Sequence, residues 1–327
     1  MAYSEQVLER ARARLEDARR ERERENDIQR QIAHARYPRL PEIERKLRQT
    51  MSKLIANTLR HGEDPKEAVN KIKEENLALQ REREWILESE ELDYESPICS
   101  TCGGTGYVGS SMCSCLMELC RQEQKKELTY LLGNGRESFE SFRLEYYPDE
   151  YDGELGVSPR RLMTSNLNIC RKFAANFGQD SGSLLFTGPT GLGKTFLSAC
   201  IARQVADRGY SVVYETAIRV FSDFEAEKFS RQQDNTGGLS RKYLECDLLI
   251  IDDLGTEMTT QFTISALYHI INTRLMENRP TIISSNLSDE MLAQRYYTQI
   301  ASRITGCYRV IKFVGNDIRH LKKGGNV

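Results

Sequence analysis

Apolar residues in the first 95 positions are sparse and spaced for helices. Leu8, Ala11, Leu15 and Ala18 recur at three- and four-residue steps, and Ile28 and Ile32 continue the stripe less strictly. Pro38 and Pro41 interrupt it, because proline lacks a helix donor and restricts the residue before it. A second helix is predicted from about Pro41 to Arg60, with Ile43, Leu47, Met51, Leu54, Ile55 and Leu59 along one side. His61-Gly62 and Asp64-Pro65 mark a turn and the start of a third helix, which carries Ile72, Leu79 and Ile86 at seven-residue spacing. Three charged helices with apolar stripes predict a helical hairpin bundle or coiled-coil arm that docks a partner. A solvated helix of no special role is the plain alternative.

Residues 96–120 turn abruptly to Cys, Gly, Ser and Thr. Aromatic, turn-rich sequence follows around Phe139–Tyr151, then a helical pattern near Leu162–Phe177. From Ser183 onward, apolar runs alternate with glycine loops and helical stretches, as in a parallel α/β sheet. The predicted strands are Ser183–Thr187, Ser211–Thr216, Leu248–Asp252, Thr281–Ser285 and Val310–Phe313. The expected division is a charged arm over 1–95, a cysteine module with a connecting helix over 96–135, and an α/β domain over 136–327.

Charge changes this picture little. Over 327 residues, 46 Lys+Arg stand against 48 Asp+Glu, so any nucleic-acid contact must come from a local patch. There is no apolar run of the ~18 residues a membrane span requires. The first 30 residues are rich in Arg and Glu rather than apolar, unlike a secretory signal peptide. A cytoplasmic enzyme or assembly factor is the expectation. In a reducing compartment the nine cysteines point to metal or core packing rather than disulfides.

The chemistry is concentrated in two motifs. Gly188-Pro189-Thr190-Gly191-Leu192-Gly193-Lys194-Thr195 fits the phosphate-loop pattern, entered by an apolar strand and left by a helix over Phe196–Ala206. Glycines let backbone N–H groups curl around a phosphate, and the helix N-terminus adds its positive end. Lys194 reaches the β- and γ-phosphates, and the Thr195 hydroxyl is placed to ligate Mg²⁺. Further on, Leu248-Leu-Ile-Ile-Asp252-Asp253 is an apolar strand ending in two carboxylates, the Walker B arrangement. Asp252 would sit beside the magnesium ion, and Asp253 would orient or polarise the attacking water. Together they predict a Mg-NTP site.

With these motifs in place, the sequence from about Phe139 to Val327 resembles the AAA+ ATPases. More narrowly it resembles the DnaC/DnaI-type helicase loaders and their relatives, the IstB-type transposition helpers. The resemblance also rests on Phe139-Glu-Ser-Phe142, Tyr146-Tyr147, Ile250–Gly255, Ile271-Asn-Thr-Arg274, Thr281–Asn286, Ala301-Ser-Arg303 and Asp317-Ile-Arg319. It implies ATP as the nucleotide and an AAA+ core without a C-terminal lid, since only eight residues follow Arg319. It implies Asn286 as the sensor-1 residue, Arg303 as an arginine finger reaching a neighbouring subunit, and Arg319 as sensor 2. Self-association follows from the finger. Where the family usually has Glu after the Walker B aspartate, this chain has Asp253, which implies slow hydrolysis stimulated by partner or DNA. Ile218-Arg-Val-Phe221, Phe224, Phe229-Ser-Arg231 and Lys242-Tyr243 interleave cations and aromatics, as single-strand binding requires, although core aromatics with solvated charges read similarly. Arg309, Lys312, Arg319, Lys322 and Lys323 make the C-terminus locally basic.

Cys99, Cys102, Cys113 and Cys115 place four thiols within 17 residues, the first pair spaced C-x-x-C before glycine. That pattern predicts a structural tetrahedral Zn²⁺ site, with Cys120 able to replace Cys113 or Cys115 and a redox dithiol as the alternative. Cys170, Cys200, Cys246 and Cys307 read as small buried hydrophobes.

The favoured reading is an ATP-dependent helicase loader. Its N-terminal region would bind a hexameric replicative DNA helicase, and its AAA+ domain ATP and single-stranded DNA. A transposition helper acting on DNA is the second reading. A zinc and coiled-coil adaptor using ATP only as an assembly switch is the third.

Overall fold

The computed structural model describes residues 3–58, 65–131, 137–178, 180–229 and 239–319. The predicted turn at His61–Asp64 lies outside them, as do Leu59, Arg60 and the side chains of Met51, Leu54 and Ile55. The chain divides into two compact units, one of Arg12–Leu116 and one of Met1–Ala11 with Met117–Val327.

The smaller unit holds most of α1 (Glu5–Arg36), then α2 (Arg39–Thr58) and α3 (Pro65–Ser89). Helix α2 starts before Pro41, not at it. In a first turn the backbone N–H has no intrahelical acceptor, so the missing proline donor costs little. Ala33, Leu40, Ile43, Leu79, Ile86 and Tyr94 form the unit's core, and Asn76 on α3 donates to Thr50 on α2 at 2.8 Å. The stripe on α1 does not continue through Ile28 and Ile32, which are 56% and 54% exposed. Polar residues take the inner face instead: Arg22 and Asn26 both donate to the Ser96 carbonyl, and Arg30 stacks on Tyr94. A two-residue hairpin, β1 (Tyr107–Val108) and β2 (Ser111–Met112), separates the two cysteine pairs.

In the larger unit, most of α4 (Ser114–Leu131) and two 3-10 turns (Phe139–Ser141 and Leu144–Tyr146) precede α5 (Pro159–Ala175). Strand and helix then alternate: β3 (Ser183–Thr187), α6 (Lys194–Asp207), β4 (Val212–Thr216), α7 (Ala217–Phe229), α8 (Arg241–Glu245) and β5 (Leu248–Leu254). They continue through α9 (Gln261–Met276), β6 (Thr281–Ser285), α10 (Asp289–Cys307) and β7 (Tyr308–Lys312). The five main strands form a parallel sheet in the order β4-β5-β6-β3-β7.

Buried on both faces, the strands read as continuous apolar runs whose side chains alternate between two cores. Leu184, Phe186, Leu248 and Ile250 face α5 and α6, whereas Leu185, Leu249 and Ile251 face α7 to α10. At one end of each edge strand a side-chain amide takes up backbone groups. Gln124 on α4 donates to the Tyr210 carbonyl and accepts from the Val212 N–H at 2.9 Å each, and Asn166 on α5 donates to the Lys312 carbonyl at 2.8 Å. The last strand begins at Tyr308 rather than Val310. Cys170, Cys200 and Cys246 are buried, but Cys307 is exposed at the end of α10, where the helix gives way to the strand.

Candidate active site and metal centre

Strand β3 delivers the chain into the glycine loop, and α6 leaves it at Lys194. Gly188 has φ 130°, and a Cβ there would lie 2.3 Å from the Phe313 carbonyl oxygen. Gly193, with φ 88°, turns the chain into α6 in a left-handed conformation that favours glycine. Two contacts hold the loop from outside: the Tyr147 hydroxyl donates to the Leu192 carbonyl at 2.8 Å, and the Ile318 N–H to the Gly191 carbonyl at 3.0 Å. The Lys194 ammonium bridges the carbonyls of Gly188 and Pro189 at 2.6 and 2.7 Å. Burial holds its pKa below the ordinary lysine value, against the opposing pull of Asp253 and Asp252.

The two carboxylates stand at the carboxyl end of β5. On a regular strand, neighbours face opposite sides. Here the register with β6 shifts between Ile251 and Leu254, and Asp253 takes φ 54°, so both residues line one cleft. Asp252 is buried and accepts from the Tyr214 hydroxyl at 2.8 Å and, through its other oxygen, from the Ser284 hydroxyl. Ser284 in turn accepts from the Asp253 N–H at 2.9 Å. Asp253 stands at the cleft mouth, and desolvation, then the neighbouring charge of Asp252, raises its pKa above the usual carboxylate value. The next turn is tied to α10: buried Glu257 accepts from the Gly255 N–H at 2.9 Å and from the Tyr296 hydroxyl.

The cleft holds about 730 Å³. Its walls include Thr190 to Thr195, Asp252, Asp253, Asn286 and Arg319. Gly188 and Pro189 sit behind the wall, reached through Lys194. Arg303 is not part of it; its guanidinium lies 4.9 Å from the Tyr268 ring centroid, on α9. Phe142, Tyr146 and Tyr147 form an aromatic wall, with Phe142 and Tyr147 stacked at 5.8 Å. Oxygen donors on Asp252, Asp253 and Thr195 make a hard set of the kind Mg²⁺ takes. Tyr214 and Ser284 were not singled out in the sequence. Their only signal is parallel register, which sets β4 and β6 on either side of the carboxylate strand.

In the smaller unit the sulfurs of Cys99, Cys102, Cys113 and Cys115 all lie within 4.8 Å of one another. Cys99 and Cys113 are 3.8 Å apart, and Cys102 and Cys115 3.4 Å. A tetrahedron with Zn–S bonds of 2.3 Å places its sulfurs ~3.8 Å apart, so the set fits zinc. Burial opposes ionisation of Cys102. The N–H groups of Gly106 and Gly104, with neighbouring thiols, outweigh it and bring the group down to about 6. Cys120 is fully buried on α4 and is not one of the converging four.

The interleaved aromatics between β4 and β5 are largely core. Phe221 and Tyr243 are buried, Phe224 packs against them, and Arg219 and Lys242 both pair with Asp223. Ile218 and Phe229 are exposed, as are Arg309 and Lys312 on β7. Arg231, Lys322 and Lys323 lie outside the described residues.

Residues 164–321 match the family described as IstB-like ATP binding protein. The replicative helicase loader DnaC of Buchnera aphidicola (subsp. Schizaphis graminum) is 23% identical over 171 residues, covering 52% of this chain and 66% of that protein. The same loader from Escherichia coli K12 is 22% identical over 191 residues, covering 58% of this chain and 74% of that protein. Thus the chain spans just under two thirds of the Buchnera relative and about three quarters of the other. Among solved structures, the crystal structure of the DnaC helicase loader is 20% identical, covering 55% of this chain and 98% of that one, with a TM-score of 0.45. The crystal structure of DnaI is 23% identical, covering 59% and 98%, with a TM-score of 0.42. Among the described residues no helix is long and apolar enough to cross a membrane.

Proposed function

We propose, from the match of residues 164–321 to the IstB-like ATP binding family, that the chain is a magnesium-dependent ATPase that loads a replicative DNA helicase. One observation carries the reading: the glycine loop, Asp252, Asp253, Asn286 and Arg319 converge on a single cleft. In this reading the loop amides and Lys194 bind the β- and γ-phosphates, and Thr195 and Asp252 hold the metal. Bound there, Mg²⁺ would neutralise charge on the phosphate oxygens. Asp253 orients the attacking water, Asn286 holds it near the γ-phosphate, and Arg319 contacts the nucleotide in cis. Arg303, absent from the walls of its own cleft, serves the site of a second copy, so turnover requires self-association.

The N-terminal unit is the helicase-binding region of this proposal. Its helices expose Ile28, Ile32, Leu77 and Trp85, large apolar side chains that a partner can cover. Zinc on the four cysteines would fix the segment that follows α3. Single-stranded DNA binding draws support from exposed Phe229, Arg309 and Lys312. The IstB description of the matched family favours a second reading, a transposition helper that grows on duplex DNA.

The test is capture of a purified hexameric replicative helicase by the full chain, with zinc present and then chelated, beside phosphate release with and without single-stranded DNA. Helicase capture and DNA-stimulated release support the loader. Filament growth on duplex DNA without helicase capture supports the helper, and absence of turnover under all conditions leaves the assembly switch.

A further inference from the structure

We propose that Tyr214 and Ser284 are positioning residues that fix the plane of the Asp252 carboxylate and so set the affinity of the cleft for magnesium-bound nucleotide. The inference rests on the reading of that cleft as a magnesium–ATP site.

Asp252 belongs to the middle strand of three, β4-β5-β6. Each flanking strand sends one hydroxyl to it, Tyr214 to Oδ2 and Ser284 to Oδ1. An aspartate's terminal torsion is broad and roughly two-fold, so a carboxylate without such donors turns freely. One donor on each oxygen removes that freedom. A carboxylate has about four acceptor positions, and two remain for a metal or its water shell. The hydroxyls are themselves held. Tyr214 is buried on the edge strand whose outer side is tied by Gln124 to α4. A tyrosine hydroxyl is protonated at neutral pH, so Tyr214 serves Asp252 as a donor. Ser284 accepts the Asp253 N–H while donating to Asp252, which joins both carboxylate residues at the bulge.

A Tyr214 that only filled the core would be replaced silently by phenylalanine. The two roles separate in a Mg²⁺ titration. A fluorescent ATP analogue is bound to the full chain in EDTA and across a Mg²⁺ series, for the native protein, Tyr214→Phe, Ser284→Ala and Asp252→Asn. Both hydroxyl variants are expected to need about five-fold more Mg²⁺ for half-saturation, the scale of one weakened charge-assisted contact, with affinity in EDTA unchanged. Asp252→Asn is expected to abolish the gain in affinity that Mg²⁺ gives. If it retains that gain, the magnesium reading of the cleft fails. If Asp252→Asn loses it while both hydroxyl variants keep the native Mg²⁺ dependence, the clamp is overturned. It is equally overturned if those variants lose affinity equally with and without Mg²⁺.

Discussion

Asp252 and Asp253 are adjacent in sequence, yet both line one cleft, because the strand bulges between them and Asp253 adopts φ 54°. Aspartate tolerates that left-handed conformation better than most residues. The shorter acid at this position therefore coincides with a backbone that itself turns the side chain inward. The cost is electrostatic, since desolvation, and then the like charge of Asp252, raises the pKa of the outer carboxylate.

Asp253→Asn should retain ATP binding and lose turnover by about 100-fold or more, as expected on removing a group that works on the attacking water. In the native protein, turnover should fall on acidification through a pKa above the ordinary aspartate value, because only the ionised form accepts a proton. Stability moves the other way. A carboxylate with a raised folded pKa binds protons more readily in the folded state, so it destabilises the fold at neutral pH and ceases to do so below its unfolded pKa. Screening at the cleft mouth limits this, so the variant should melt only on the order of 1–2 °C higher at neutral pH. That gain should vanish near pH 3. An unchanged melting temperature at both pH values, with full turnover, would remove Asp253 from the mechanism.

Much of this site is legible in the sequence. The phosphate loop and the carboxylate strand announce themselves because they need fixed residue types at fixed spacing, and β3 and β6 lie at their predicted limits. What escaped was set by register and by through-space pairing. Tyr214 and Ser284 are unremarkable in one dimension, and only the parallel alignment of three strands brings them to Asp252. In α1 the periodicity misled: Ile28 and Ile32 point to solvent, while Arg22 and Asn26 face inward to bind the Ser96 carbonyl. A helix can bury arginine stems where a neighbouring chain offers carbonyls, and no hydrophobic count records that.

Arg303→Ala should bind ATP normally and lose turnover by about 1,000-fold, the scale of an arginine that stabilises phosphoryl transfer. Because the residue lies outside its own cleft, complementation is the sharper measurement. A Lys194→Ala protomer lacks a working site but carries Arg303. Mixed with Arg303→Ala it should restore part of the activity. Failure of the mixture, or native turnover by the single variant, would assign Arg303 to its stacking contact with Tyr268 instead.

Protein purified without chelator should carry one zinc per chain, and Cys99→Ser or Cys102→Ser should abolish retention of stoichiometric metal, read by elemental analysis. Cys120→Ser should keep its zinc, since that thiol is fully buried on α4 and is not one of the four converging sulfurs. Loss of zinc in the Cys120 variant at undiminished helix content would move the ligand set.

Arg274 is fully buried, and its guanidinium serves backbone rather than nucleotide. It donates to the carbonyls of Tyr243 at 3.0 Å, Cys246 at 2.9 Å and Pro280 at 2.7 Å, and to the Thr281 hydroxyl at 2.8 Å. These groups lie where α8 runs into β5 and where β6 begins, so one side chain pins the entry of both central strands. Arg274→Leu would strand several buried carbonyls, each costing about 1–3 kcal/mol when left without a donor. The expected loss is about 3–5 kcal/mol, a fall in melting temperature on the order of 10 °C for a unit of this size. Arg274→Lys should recover only part of it, because a compact ammonium cannot span acceptors placed for a planar fork. Turnover per folded molecule should survive in the lysine variant. If instead it folds as well as the native protein but loses ATP turnover, Arg274 belongs to the catalytic machinery and the structural assignment is wrong.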